Sequence, residues 1–109
     1  MTNANDVVWA SLWMPAEQRF MTYDEVQQRR IALRDATEDA CIAAYADLRP
    51  NSQEAINWGD LGCAQCGIKD NAWYVVVEEA APNAVGLWQF VRDWLTDHGY
   101  PDVEVEVRW

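Results

Sequence analysis

Cys63-Ala-Gln-Cys66-Gly is the short motif of this chain with the makings of a reactive or metal-binding centre. A closed zinc site takes four ligands, commonly two such cysteine pairs or one pair with histidines. Cys41 and His98 are what the sequence has left to complete it, and no spacing brings the four together. A thioredoxin-like dithiol needs a helix N-terminus to lower its thiol pKa. Here a glycine, a turn and a strand follow instead. Residues three apart on a regular strand also point to opposite faces, so the two thiols meet only if the segment turns or bulges. Gly62 and Gly67 permit that. The expectation is therefore that Cys63 and Cys66 are weak metal candidates, that the chain holds no metal and no cofactor, and that its cysteines are incidental.

Other candidates for chemistry are thinner still. His98 is the single histidine and has no serine or cysteine motif beside it from which a triad could be built. Glu78 and Glu79 are adjacent and take opposite faces of a strand, whereas Glu104 and Glu106 share a face that alternation turns to water. Gly59, Gly62 and Gly67 lack the strand-then-helix setting of a phosphate loop. Arg30 and Arg34 lie close to an apolar helical stripe. They are read as side chains that snorkel past the helix edge, with Arg34 pairing to Glu38, or else as an anion site at a helix–sheet boundary. No catalytic residue is assigned, and the reading leans away from an enzyme.

The elements that must position these residues follow from periodicity. Residues 7–13 are apolar at both parities, which marks a central strand. Thr22 with Glu25 is a capping box, and no proline or glycine follows until Pro50, so a long helix runs from about Tyr23 to Leu48. Val26, Leu33, Thr37, Ala40, Cys41, Ala44 and Leu48 share its inner stripe, with Glu25, Arg29, Asp35, Asp39 and Asp47 outside. Residues 49–55 read as loop, and 56–67 as an irregular strand, bulged or at an edge. Lys69-Asp70-Asn71 is a turn. Residues 73–78, again apolar on both sides, form a second central strand. Pro82 and Asn83 open a second helix, in which Leu87, Trp88, Val91, Trp94 and Leu95 recur at three- and four-residue spacing. Gly99 closes it. Val103, Val105, Val107 and Trp109 alternate with Glu104, Glu106 and Arg108 in a half-buried edge strand.

The order β-α-β-β-α-β matches the ferredoxin-like pattern: a four-stranded antiparallel sheet with two helices on one face and the strands at 7–13 and 73–78 in the middle. The 109 residues suit one α+β domain, 1–109. Eighteen acidic against eight basic side chains give a formal net charge of −10. That field opposes direct binding to DNA, RNA or an anionic membrane. No apolar run approaches the roughly 18 residues of a membrane span, and Met1 to Asp6 do not resemble a secretory signal. With three cysteines, an odd number, the thiols read as reduced and the location as cytoplasmic.

A helix-free sheet face carrying apolar residues, in a chain with seven tryptophans, needs a cover. The first expectation is a non-enzymatic binding domain that self-associates through that face as a homodimer. An alternative is a small-ligand module whose cavity is lined by Trp9, Trp13, Trp58 and Trp73 and takes an apolar or aromatic molecule. Another is an acidic decoy that imitates nucleic acid and occupies the groove of a DNA- or RNA-binding protein.

Overall fold

Thr22 and Glu25 begin the longest element by bonding each other's backbone. The Thr22 amide donates to Glu25 Oε1 at 2.8 Å, and the Glu25 amide donates to Thr22 Oγ1 at 3.2 Å. Two of the N–H groups that a helix start leaves without partners are thereby satisfied. In the computed structural model, which describes residues 12–48, 61–78 and 86–108, the helix that follows is α1, Tyr23–Leu48. It is preceded by two short strands, β1 (Trp13–Met14) and β2 (Arg19–Phe20). It is followed by β3 (Gly62–Lys69), β4 (Ala72–Glu78), α2 (Leu87–Asp97) and β5 (Glu104–Arg108). Among the described residues no helix is long and apolar enough to cross a membrane.

β3 and β4 form an antiparallel hairpin closed by Asp70 and Asn71, whose φ angles are 52° and 61°. Two left-handed residues in a two-residue loop give the turn whose twist matches that of the strands. The turn sets Lys69 opposite Ala72 and with it the rest of the register. α2 then carries the chain over to β5, which lies parallel to β4. Parallel neighbours require such a crossover. The helix ends at Gly99, φ 93°: the Tyr100 amide reaches the Leu95 carbonyl at 2.7 Å and the Gly99 amide the Thr96 carbonyl at 3.4 Å. This left-handed cap is open to glycine at little cost.

Both helices pack on one face of the β3–β4–β5 sheet. Leu33, Ala40, Cys41 and Ala44 of α1 and Leu87, Val91 and Leu95 of α2 meet Cys63, Val75, Val77 and Val103 in a single buried cluster. The inner stripe of α1 is the one its periodicity predicts, with Leu48 partly buried at its end. Thr37 is tolerated in it because its hydroxyl donates to the Leu33 carbonyl at 2.8 Å. Arg29 leaves the outer face where the pattern puts it. Its guanidinium lies 4.2 Å from the Tyr100 ring centre and donates to the Gly99 carbonyl at 3.0 Å, clasping α1 to the end of α2.

The ferredoxin-like arrangement, a single four-stranded antiparallel sheet, is not what forms. There are two sheets, a two-stranded β1–β2 ribbon and a three-stranded, mixed β3–β4–β5 sheet. In a ferredoxin-like sheet the first strand would separate the third from the fourth. Here β5 sits directly on β4, in the slot that strand would fill. Of residues 7–13, Leu12 and Trp13 are described. Trp13 pairs with Phe20 in the ribbon, its ring edge-on to the phenyl at 5.1 Å. Of the segment expected as a central strand, Trp13 lies in a described strand, at the start of a two-residue one, and residues 7–11 lie outside the described residues. β4 is central and β5 an edge, as their patterns require.

Candidate functional site

The three strands present opposite parities to opposite faces. Trp73, Val75 and Val77 of β4 and Val105 and Val107 of β5 belong to the helix-covered core. Tyr74, Val76 and Glu78 therefore point the other way, beside their register partners Glu104, Glu106 and Arg108. On the β3 side the same face carries Gln65, Gly67 and Lys69. Among the described residues no helix lies on it. A hollow of about 460 Å³ opens there. Its floor is Ala72, Tyr74 and Val76, and its rim is Gln65, Lys69 and Asp70 on one side and Glu104, Glu106 and Arg108 on the other.

Each part of the hollow has a local cause. Gly67 lies opposite Tyr74, and a Cβ there would stand 3.4 Å from the Tyr74 ring. The missing side chain gives the ring a flat seat on the β3 side and leaves the β5 side free. Arg108 spans two carboxylates, Glu106 at 2.7 Å and Glu78 at 3.8 Å. Glu104, exposed on the same face, makes no ion pair among the described residues. Val76 is 1% exposed even though it faces away from the helices. The continuous apolar platform expected on this side is thus a small apolar floor within a charged rim.

Each rim of the sheet has one backbone group taken by a helix side chain. At β3, the Cys63 amide donates to Glu38 Oε1 of α1 at 2.9 Å. At β5, the Trp88 indole of α2 donates to the Val105 carbonyl at 2.8 Å. Backbone groups left open on an edge strand invite another strand to add. Here a side chain from each helix takes one such group on each edge.

The cysteines come together in a way a regular strand forbids. A register shift between Cys63 and Gln65 inserts one extra residue, so Cys63 faces Val77 and Cys66 faces Val75, on one side of the sheet. Cys41 of α1 joins Cys63 in the core. Burial pushes the Cys41 thiol up to about 12, with the Glu38 carboxylate adding to the shift. Burial likewise lifts Cys63 to about 11 and Cys66 to about 12. The thiols bond to backbone, Cys63 Sγ to the Gln65 carbonyl at 3.3 Å and Cys66 Sγ to the Arg30 carbonyl at 3.5 Å. A nucleophilic or redox dithiol needs the opposite shift. Among the described residues no group of three or more His, Cys, Asp or Glu is placed to hold a metal ion. His98 stacks on Trp94 at 4.0 Å and donates from Nδ1 to the Trp94 carbonyl.

The remaining sequence candidates are dispersed. Arg30 is exposed and donates to Gln27 at 2.7 Å. Arg34 is exposed too, and Glu38, its expected partner, turns to the Cys63 amide instead. Trp13 lies in the β1–β2 ribbon, 44% exposed, and Trp73 packs against the helix-side core. Trp9 and Trp58 lie outside the described residues, and neither Trp13 nor Trp73 lines the hollow. Of the residues that do line it, Glu104 and Glu106 read from the sequence as a solvated pair, and Gln65, Tyr74 and Val76 are not singled out by it. A signal for them existed: the Asp70-Asn71 turn fixes the hairpin register, and the register sets Tyr74 with Gly67. Comparison with protein-family models, curated proteins and solved structures finds no match to this chain.

Proposed function

We propose that the chain is a small acidic binding domain that acts by contact and not by catalysis, with the helix-free sheet face as its working surface. The observation that carries this reading is the hollow of about 460 Å³, which has an apolar floor and a rim of both charges. Its size falls in the range of ligand pockets, and a few polar groups around an apolar base are the usual make-up of one. The side chains on both rims of the sheet favour the face over strand addition. The raised thiol pKa values speak for cysteines that pack, and free thiols suit a reducing compartment such as the cytoplasm.

Self-association as a homodimer through the same face is the second reading. One observation favours it: Lys69 and Arg108 share the patch with Asp70, Glu104 and Glu106, so a two-fold copy can set opposite charges against each other. Light scattering over a wide concentration range, paired with amide chemical-shift mapping, tests both readings. A dimer mass that Tyr74→Arg abolishes supports pairing. A constant monomer mass, with ligand-induced shifts on β4 and β5, supports a ligand face. A monomer whose β4 and β5 amides respond to neither concentration nor any ligand overturns the whole proposal.

A further inference from the structure

We infer that the hollow takes a small organic cation, an ammonium or guanidinium head on an apolar body, held between the Tyr74 ring and the Glu104 carboxylate. The inference rests on the reading of the helix-free face as the working surface and adds the chemistry of its occupant. Tyr74 and Glu104 are register partners on adjacent strands and point to the same side. Tyr74 is seated over Gly67, so its ring lies toward β3, and the half-buried Ala72 and the Tyr74 ring offer the apolar body a surface, with the fully buried Val76 beneath them.

The charge balance selects the head group. Arg108 is engaged by Glu106 and Glu78, two carboxylates sharing one guanidinium. Lys69 and Asp70 line the hairpin end of the hollow without an ion pair among the described residues, so the lining as a whole sets the acidic Asp70, Glu104 and Glu106 against the basic Lys69 and Arg108. Glu104 makes no ion pair among the described residues, in a chain whose formal net charge is −10. An aromatic face next to an uncompensated carboxylate is a setting in which a cation gains from both the ring quadrupole and the charge. An anion there would meet Glu104 and the field of the whole molecule. Lys69, opposite Ala72 and so one same-face position from Tyr74, stands at the same end of the sheet as Glu104 and disfavours a second positive charge on the same ligand.

The test uses phenethylammonium as the probe, with 2-phenylethanol and 3-phenylpropionate as neutral and anionic partners of similar size, all at one ionic strength. Backbone amide shifts of the full chain are followed by NMR. Saturable shifts at Tyr74, Val76 and Glu104 are expected with phenethylammonium, and none with the other two. Glu104→Gln weakens binding roughly tenfold, Tyr74→Leu weakens it similarly, and Tyr74→Phe, which keeps the ring, does not. Asp35→Asn, on the outer side of α1, removes the same unit of charge and leaves the affinity unchanged. The variants' circular dichroism confirms that each is folded. Equal weakening by Asp35→Asn, or shifts scattered over the acidic surface, overturns the inference. Saturation by the alcohol or the carboxylate at these residues overturns the cation and leaves the contact face standing. No response to any probe, together with a mass that does not vary with concentration, removes both.

Discussion

Glu25 serves two elements at once. It closes the capping box of α1, and both its oxygens accept from Arg19 of the ribbon, at 2.6 and 3.0 Å. The Arg19 hydrogen bond, seconded by the Thr22 amide, holds its carboxyl at about 2, well below the usual carboxylate range. A depressed folded-state pKa contributes stability that is present above the unfolded value near 4.5 and is lost as pH falls toward about 2. Glu25→Gln is therefore expected to melt at a lower temperature than the parent at neutral pH, and thermal melts down the acid range should show the difference closing across that window. The thiols carry the opposite sign. Their raised values favour the folded state below the unfolded pKa of 9.0, and that contribution is lost as pH climbs toward about 11 to 12. Iodoacetamide at mildly alkaline pH should modify Cys41, Cys63 and Cys66 slowly in the native chain and readily once urea has unfolded it, as counted by mass spectrometry.

Two elements depend on single local choices. The β3–β4 hairpin turns on Asp70 and Asn71, both left-handed, a conformation that costs most L-residues about 1–2 kcal/mol and glycine far less. Asn71→Gly is expected to raise stability by up to about 1 kcal/mol, read from the urea midpoint, and Asn71→Val to lower it. The sheet's edges depend on Glu38 and Trp88. Trp88→Phe keeps an aromatic ring and deletes the indole donor to the Val105 carbonyl, at a cost of about 1 kcal/mol. Combined with Glu38→Ala, which uncovers the Cys63 amide, it leaves a backbone group open on each rim. Static light scattering during prolonged incubation should show the double variant aggregating faster than either single one, in excess of what its lower melting temperature explains.

At the scale of the molecule, a formal charge of −10 over 109 residues works against compactness. Raising ionic strength from about 0.01 M to about 0.15 M shortens the screening length from about 30 Å to about 8 Å. The melting temperature is expected to rise over that interval, because net repulsion weakens more than the few close ion pairs do. The outer side of α1 also bears Ile31 and Ile42, 58% and 68% exposed, so the charge is interrupted by apolar spots. The core itself is ordinary in its demands: Leu33, fully buried between α1, α2 and the sheet, anchors the packing that holds both helices on one face.

The local pattern alone determined α1 with its capping box and inner stripe, the glycine that ends α2 and the alternation of β5. Each of these is set by neighbours within a few residues, through hydrogen bonds to the adjacent turn or through the two- and 3.6-residue periods. Partnership was a different matter. Whether β5 lies beside β4 or one strand away, and whether Trp13 joins the main sheet or pairs with Phe20, turns on contacts between distant segments whose apolar character is the same in either case. The bulge that turns Cys63 and Cys66 to one face, and the seating of Tyr74 on Gly67 that opens the hollow, likewise needed two strands in register before either could exist. Periodicity says that a side chain must be buried or wetted, and only the packed chain says by what.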